Sequence, residues 1–228
     1  KVLFFGLPCK VGALKLFLKK DYRNLLTCEL ICHGPVNVKV HKEYLNYLQK
    51  KYEEKIIDFS VRYKVDGQWN PSYLYAKFEN GEEYIKEFSK TEYGIAFGVL
   101  GERKCYNCFY KGNNRNGDIQ IGDFWGCDSQ KLYYNSKGTS CILIHTKKGL
   151  DFVNDNKYLV LYPTEFEKVV KGNPMIIYSK KKSQSYDYFL KNFNKKGLFY
   201  AVRKNKSLSR KIFNFINRKM NITFKKKS

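Results

Sequence analysis

The sequence predicts a mixed α/β protein: a βαβ core with a mixed sheet, an antiparallel hairpin insert and a basic helical tail. Three observations point there. Two short apolar runs, Val2–Phe5 and Leu25–Ile31, bracket a stretch with apolar residues at helical spacing, which is the pattern of a parallel strand pair with a crossover helix. Two alternating runs, Tyr73–Phe78 and Glu83–Phe88, flank Asn80-Gly81, a short hairpin signal because both residue types tolerate positive φ. From Ser179 to Ser228 there are sixteen Lys or Arg and one acidic residue, so +15 of the formal +22 charge lies in that stretch.

The elements follow in order. Val2–Phe5 reads as a short buried strand and Gly6-Leu7-Pro8-Cys9 as the turn that opens a helix, with Val11, Leu14, Phe17 and Leu18 along it. Leu25–Ile31 is the second strand, and Cys32-His33-Gly34-Pro35 the turn after it. Val40, Tyr44, Leu45 and Leu48 mark one face of a second amphipathic helix. Ile56–Tyr63 alternates in part and introduces the antiparallel insert. Ile119–Gly126 reads as strand and turn, and Ser140–Thr146 as a buried strand. A short helix and a last strand over Tyr158–Leu161 are expected next. In the tail, Leu208, Ile212, Phe213, Phe215 and Ile216 suggest an amphipathic helix with Lys and Arg opposite. The expected division is a domain over 1–178 and a basic helical tail over 179–228.

Composition limits the function classes. With 228 residues, 43% hydrophobic and 17% aromatic, the chain can bury a core. It has no apolar run of membrane-spanning length and no secretory signal, so a cytoplasmic location is expected. The chain opens at Lys1 on a strand-like run and so reads as a piece of a longer protein. Seven cysteines without a secretory signal argue against a disulfide framework and for free or metal-bound thiols. The basic tail could meet an anionic membrane surface or nucleic acid, but the body carries no recognised nucleic-acid motif, so no specific nucleic-acid partner is expected.

Four cysteines stand out. Cys9 and Cys32 follow the first two strands, where open α/β sheets place ligands. Cys105 and Cys108 form a Cys-x-x-Cys pair flanked by Lys104 and Lys111. Thiolates on turns can converge on one soft metal, and four match a 4Fe–4S cluster or a structural zinc. Cys28 and Cys141 lie inside strand runs and read as core packing, while Cys127 is a weaker ligand candidate. The Gly6–Cys9 turn opens a helix, where a phosphate or a thiolate is favoured. His33 could donate to a cofactor. In Gly122-Asp123-Phe124-Trp125-Gly126, a planar cofactor could stack on the aromatics with Asp123 accepting a hydrogen bond, or the aromatics could simply form a corner of the core. No hydrolytic triad is supported.

Taken in order, Gly6-Leu7-Pro8-Cys9-Lys10, Cys32-His33-Gly34, Cys105-x-x-Cys108 and Lys111-Gly112-x-Asn114-Arg115-x-Gly117-Asp118-Ile119-x-Ile121-Gly122-Asp123-Phe124-Trp125-Gly126 resemble the C-terminal domain of the coenzyme F420 hydrogenase/dehydrogenase beta subunit family. Gly138-Thr139-Ser140 also fits, and the likeness runs from about Lys1 to Leu161. It implies an iron–sulfur flavoprotein oxidoreductase passing electrons between a 4Fe–4S cluster, FAD and a small-molecule substrate or redox partner. By the same resemblance, Cys9, Cys32, Cys105 and Cys108 would hold the cluster. Gly6, Pro8, His33, Gly34, Lys111, Asn114, Arg115, Gly122, Asp123, Trp125 and Gly126 would border the flavin. The family's usual Thr-Pro-Cys-Gln reads Leu7-Pro8-Cys9-Lys10 here, and its N-terminal ferredoxin module is not in this sequence. A ferredoxin or a hydrogenase-like subunit is therefore the expected partner, and a role in polysaccharide biosynthesis is what bacterial relatives suggest. The alternatives are a structural zinc domain without redox activity and a basic module that binds nucleic acid or membrane surfaces.

Overall fold

The computed structural model describes residues 1–112 and 115–208. The chain forms two compact units, each assembled from separate stretches. The first comprises Lys1–Gly34, Lys64–Asn70 and Arg103–Lys180. The second comprises Pro35–Tyr63, Pro71–Glu102 and the described residues from Lys181 on.

The first unit is built on a four-stranded mixed sheet. β1 (Val2–Gly6) crosses through α1 (Pro8–Leu18) to β2 (Leu25–Leu30) and pairs with it in parallel, as the βαβ pattern predicts. β6 (Ile119–Asp123) adds in parallel to β2, and β7 (Ser140–Ile144) closes the sheet antiparallel to β6. β2 is buried on both faces, which is why it reads as a continuous apolar run rather than an alternating one. Leu26 and Cys28 pack with Ile119 and with Val153 of α4 (Lys147–Asn154). A second cluster joins Phe124, Cys141, Val169 of α5 (Phe166–Gly172) and Ile176. The strand expected over Tyr158–Leu161 does not form: that run is coil, with Tyr158 and Val160 more than three-quarters exposed. An apolar run becomes a strand only when it finds a ladder partner, and this one has none among the described residues.

The second unit holds a three-stranded antiparallel sheet, β3 (Ile56–Tyr63), β4 (Tyr73–Phe78) and β5 (Glu83–Glu87), in that order. The hairpin between β4 and β5 is as predicted, but it turns through a longer loop in which only Gly81 takes positive φ. Asn80 serves instead as an acceptor for the Glu82 amide. α2 (Val38–Tyr52) is capped by the Asn37 side chain, and Val40, Tyr44 and Leu48 are fully buried as their spacing predicts. α3 (Glu92–Val99), capped by Thr91, is an element that the sequence pattern does not announce. α6 (Tyr186–Lys196) and a helix over 198–208 bury Phe189, Phe193, Leu198, Ala201 and Val202 and turn Lys191, Lys195, Arg203 and Lys204 outward. The Glu43 carboxylate accepts the Leu198 amide at 2.7 Å, placing a negative charge at that helix's N-terminus. The helix expected around Ile212–Ile216 lies outside the described residues.

Candidate functional site

The cysteine-bearing turns sit where the parallel strands end. Leu7 is extended and Pro8 takes the first helical position of α1, where its missing amide costs nothing, so Cys9 falls in the first turn and is exposed. One turn on, Gly12 lies flat against Tyr110, and a methyl there would come within 2.5 Å of the phenol oxygen. β2 hands on through Ile31, whose amide still bonds Ile121, to the half-buried Cys32. The Gly34 amide donates to the Cys32 sulfur at 3.3 Å. Gly34 takes φ +93°, a conformation that favours glycine. Its bare face leaves room for Cys105, whose sulfur would stand 3.4 Å from a β-carbon at Gly34.

Cys105 belongs to a 3-10 turn over Arg103–Asn107, and Cys108 follows it, its amide donating to the Ser179 hydroxyl at 2.9 Å. Lys111 then reaches back. Its ammonium donates to the carbonyls of Cys32 at 2.7 Å and Met175 at 2.5 Å. Arg115 donates to the carbonyls of Tyr110, Gly112 and Ile176. Two cations thus tie the Cys-x-x-Cys loop to the end of β2 and to the chain around Met175.

The electrostatics agree with that picture. Burial pulls the Lys111 ammonium below its ordinary pKa, and the thiols of Cys108, Cys32 and Cys105 act in the opposite direction. Burial likewise lowers Arg115, opposed by Glu29 and Cys108, and Lys180, opposed by Cys105. Three sulfurs therefore share one basic neighbourhood, the setting in which thiolates are favoured. Cys28 and Cys141 differ: burial pushes both thiols up to about 11, as expected for inert core residues. Among the described residues, no group of three or more His, Cys, Asp or Glu side chains is arranged to hold a single metal ion.

The Gly122–Gly126 segment is close-packed. Phe124 is buried and stacks on Tyr133, and Trp125 rests against Trp69 with ring centres 4.4 Å apart. Gly122 fits tightly over Ile31, Gly126 takes φ +76°, and the Asp123 carbonyl accepts from Asn173 at 2.9 Å. Pro8 is buried, Gly6 half-buried and His33 exposed. Asn114 lies outside the described residues. The structure thus brings Cys32, Gly34, Cys105, Cys108, Lys111 and Arg115 together, while Cys9 enters none of these contacts.

Several participants carry no sequence signal. Met175, Ile176 and Tyr110 contribute carbonyls, which any residue has. Glu29 does carry one, a lone charge inside an apolar strand. A cleft of about 600 Å³ lies elsewhere, beside the amino ends of β1 and β2, lined by Val2, Leu3, Arg23, Leu26, Phe152 and Tyr158. The carboxyl ends, where such sheets bind ligands, carry the cysteines instead.

The family model for the C terminus of the coenzyme F420 hydrogenase/dehydrogenase beta subunit matches residues 1–165. The chain belongs to that family. Among solved structures, a chain of the F420-reducing NiFe hydrogenase complex from Methanosarcina barkeri is similar at 15% identity and a TM-score of 0.37, over 68% of this chain and 47% of that one. The chain therefore spans less than half the length of that relative. No curated protein matches. Among the described residues, no helix is long and apolar enough to cross a membrane.

Proposed function

We propose that the chain is an iron–sulfur flavoprotein oxidoreductase passing electrons between a 4Fe–4S cluster, FAD and a substrate or partner. The observation that carries this reading is the gathering of the Cys32, Cys105 and Cys108 thiols about Gly34 and Lys111, in a chain of this family. The donor chemistry fits. Thiols on turns beside cations suit a thiolate-bound cluster, and a cuboidal cluster spaces its thiolates more widely than a single ion does. Cys9, Cys32, Cys105 and Cys108 would be the ligands. Gly6, Pro8, His33, Gly34, Lys111, Asn114, Arg115, Gly122, Asp123, Trp125 and Gly126 would border the flavin, with Gly34 and Lys111 on the side toward the cysteines. When bound, the flavin supplies two-electron exchange and the cluster single-electron exchange.

The chain's own residues set the frame. Gly34 keeps the space between two thiols open, Lys111 and Arg115 tie the loop to distant carbonyls, and Trp125 packs on Trp69. The cofactor-bearing part would be residues 1–178, with 179–228 a basic appendage. A ferredoxin or hydrogenase-like subunit would exchange electrons with it in the cytoplasm, and surface-polysaccharide biosynthesis is the proposed context.

Purification without oxygen tests this. Iron, inorganic sulfide and flavin should copurify, with the broad visible absorption of a cluster. Cys105→Ser and Cys108→Ser should each lower iron and sulfide by more than about half while leaving the circular dichroism unchanged. A folded, colourless, iron-free preparation would refute the reading, and stoichiometric zinc in its place would make the site structural.

A further inference from the structure

We propose that Lys111 is the fixed countercharge of the cysteine site, there to raise the reduction potential of whatever cluster the thiols hold. This rests on the function proposed above. The geometry is specific to that lysine. Its ammonium is anchored by two backbone carbonyls from distant parts of the chain, Cys32 at 2.7 Å and Met175 at 2.5 Å. One of those carbonyls belongs to a thiol-bearing residue, and the same turn places Gly34 between the Cys32 and Cys105 sulfurs. Carbonyl oxygens have no charge to cancel the ammonium's, and among the described residues no carboxylate forms an ion pair with Lys111. The positive charge is therefore available to the thiolates.

Reduction adds one electron to a cluster that already carries negative charge from its thiolates. A cation held nearby, in a partly buried setting, stabilises the reduced form more than the oxidised one and so raises the potential. Lys111 acts through the cluster's surroundings, which makes it a positioning residue rather than a ligand.

Three variants and an anaerobic titration with dithionite, followed by electron paramagnetic resonance, decide the matter. Lys111→Gln keeps an N–H donor for the carbonyls and removes the charge. Its midpoint should move negative by the equivalent of about a tenfold change in the one-electron equilibrium, ~59 mV. Lys111→Met should move in the same direction, and Lys111→Arg should stay near the parent. Loss of iron from the Gln variant with retention in the Arg variant also supports the proposal, since charge is then the requirement. A Gln variant loaded to the parent's iron content with an unchanged midpoint would overturn it. So would loss of iron from both Gln and Arg variants, which would make Lys111 a strut. An iron-free parent chain would instead refute the function proposed above, and this inference with it.

Discussion

Two buried carboxylates, Glu29 on β2 and Asp118 just before β6, respond to pH in opposite directions. Asp118 accepts from the Thr27 amide at 2.8 Å, the Thr27 hydroxyl at 2.7 Å and the Thr146 hydroxyl at 2.8 Å, so one side chain locks β2, β6 and the cap of α4 together. Burial alone would raise its pKa, but those hydrogen bonds and the Lys148 charge outweigh burial and hold it below the usual range. Its contribution is therefore complete above the unfolded carboxylate's pKa, ~3.9, and is lost as pH falls through the lower folded value. Asp118→Asn turns an acceptor into a donor facing donors and should cost about 3 kcal/mol in urea melts at pH 7. Glu29 stands beside Gln120 in the ladder, both fully buried. Glu29 Oε2 and both Gln120 amide atoms lack partners among the described residues. Burial pushes the Glu29 carboxyl up, although the amides of Gly117 and Asn116 and the charges of Arg115 and Lys15 oppose it. The folded state then holds the proton more tightly, so this group's contribution declines as pH rises above the ordinary carboxylate range. Glu29→Gln should raise the melting temperature at pH 7 and give no gain near pH 3. A gain that is equal at both pH values would contradict this.

Close approach between elements depends on glycine at Gly149 and Gly172, as it does at Gly12 and Gly122, and is indifferent to it at Gly98. Gly149 of α4 sits directly on the Asp118 carbonyl and the Ile119 side chain, and Gly172 at the end of α5 sits on the Trp125 carbonyl. A β-carbon at either position meets backbone, which cannot swing aside. Gly172→Ala should therefore cost about 3 kcal/mol, and Gly149→Ala a similar amount. Gly98, exposed in α3, has an ordinary φ, and a methyl added to it would meet nothing within 4 Å. Gly98→Ala should stabilise the chain by up to about 1 kcal/mol by removing backbone entropy from the unfolded state. Denaturant midpoints for the three variants check both signs at once, and a destabilised Gly98→Ala would contradict the open face of α3.

At the scale of the chain, the charge of +22 is the dominant property. The outward lysines of α6 and the helix over 198–208 form part of that field. Such a charge attracts polyanions without reading them. Binding to a fluorescent single-stranded oligonucleotide should weaken along a straight line of log affinity against log salt, and unrelated base sequences should give the same line. Salt-independent or sequence-selective binding would contradict this and revive a nucleic-acid role.

The βαβ unit, the hairpin, the buried face of α2 and the family are all legible in the residues alone. Each is written in local periodicity, in turn chemistry or in a run of adjacent motif residues such as Arg115–Gly126. That Tyr158–Leu161 stays coil is not legible there, since an apolar run is a strand only beside a partner. Nor is the seat of Lys111 between the Cys32 and Met175 carbonyls, contacts made across 79 and 64 residues by groups that every residue carries. It takes the folded chain to bring three of the four singled-out cysteines near one buried lysine and to leave Cys9 outside those contacts. Residues so far apart in the chain come near one another through the order in which strands join a sheet, which no local pattern records.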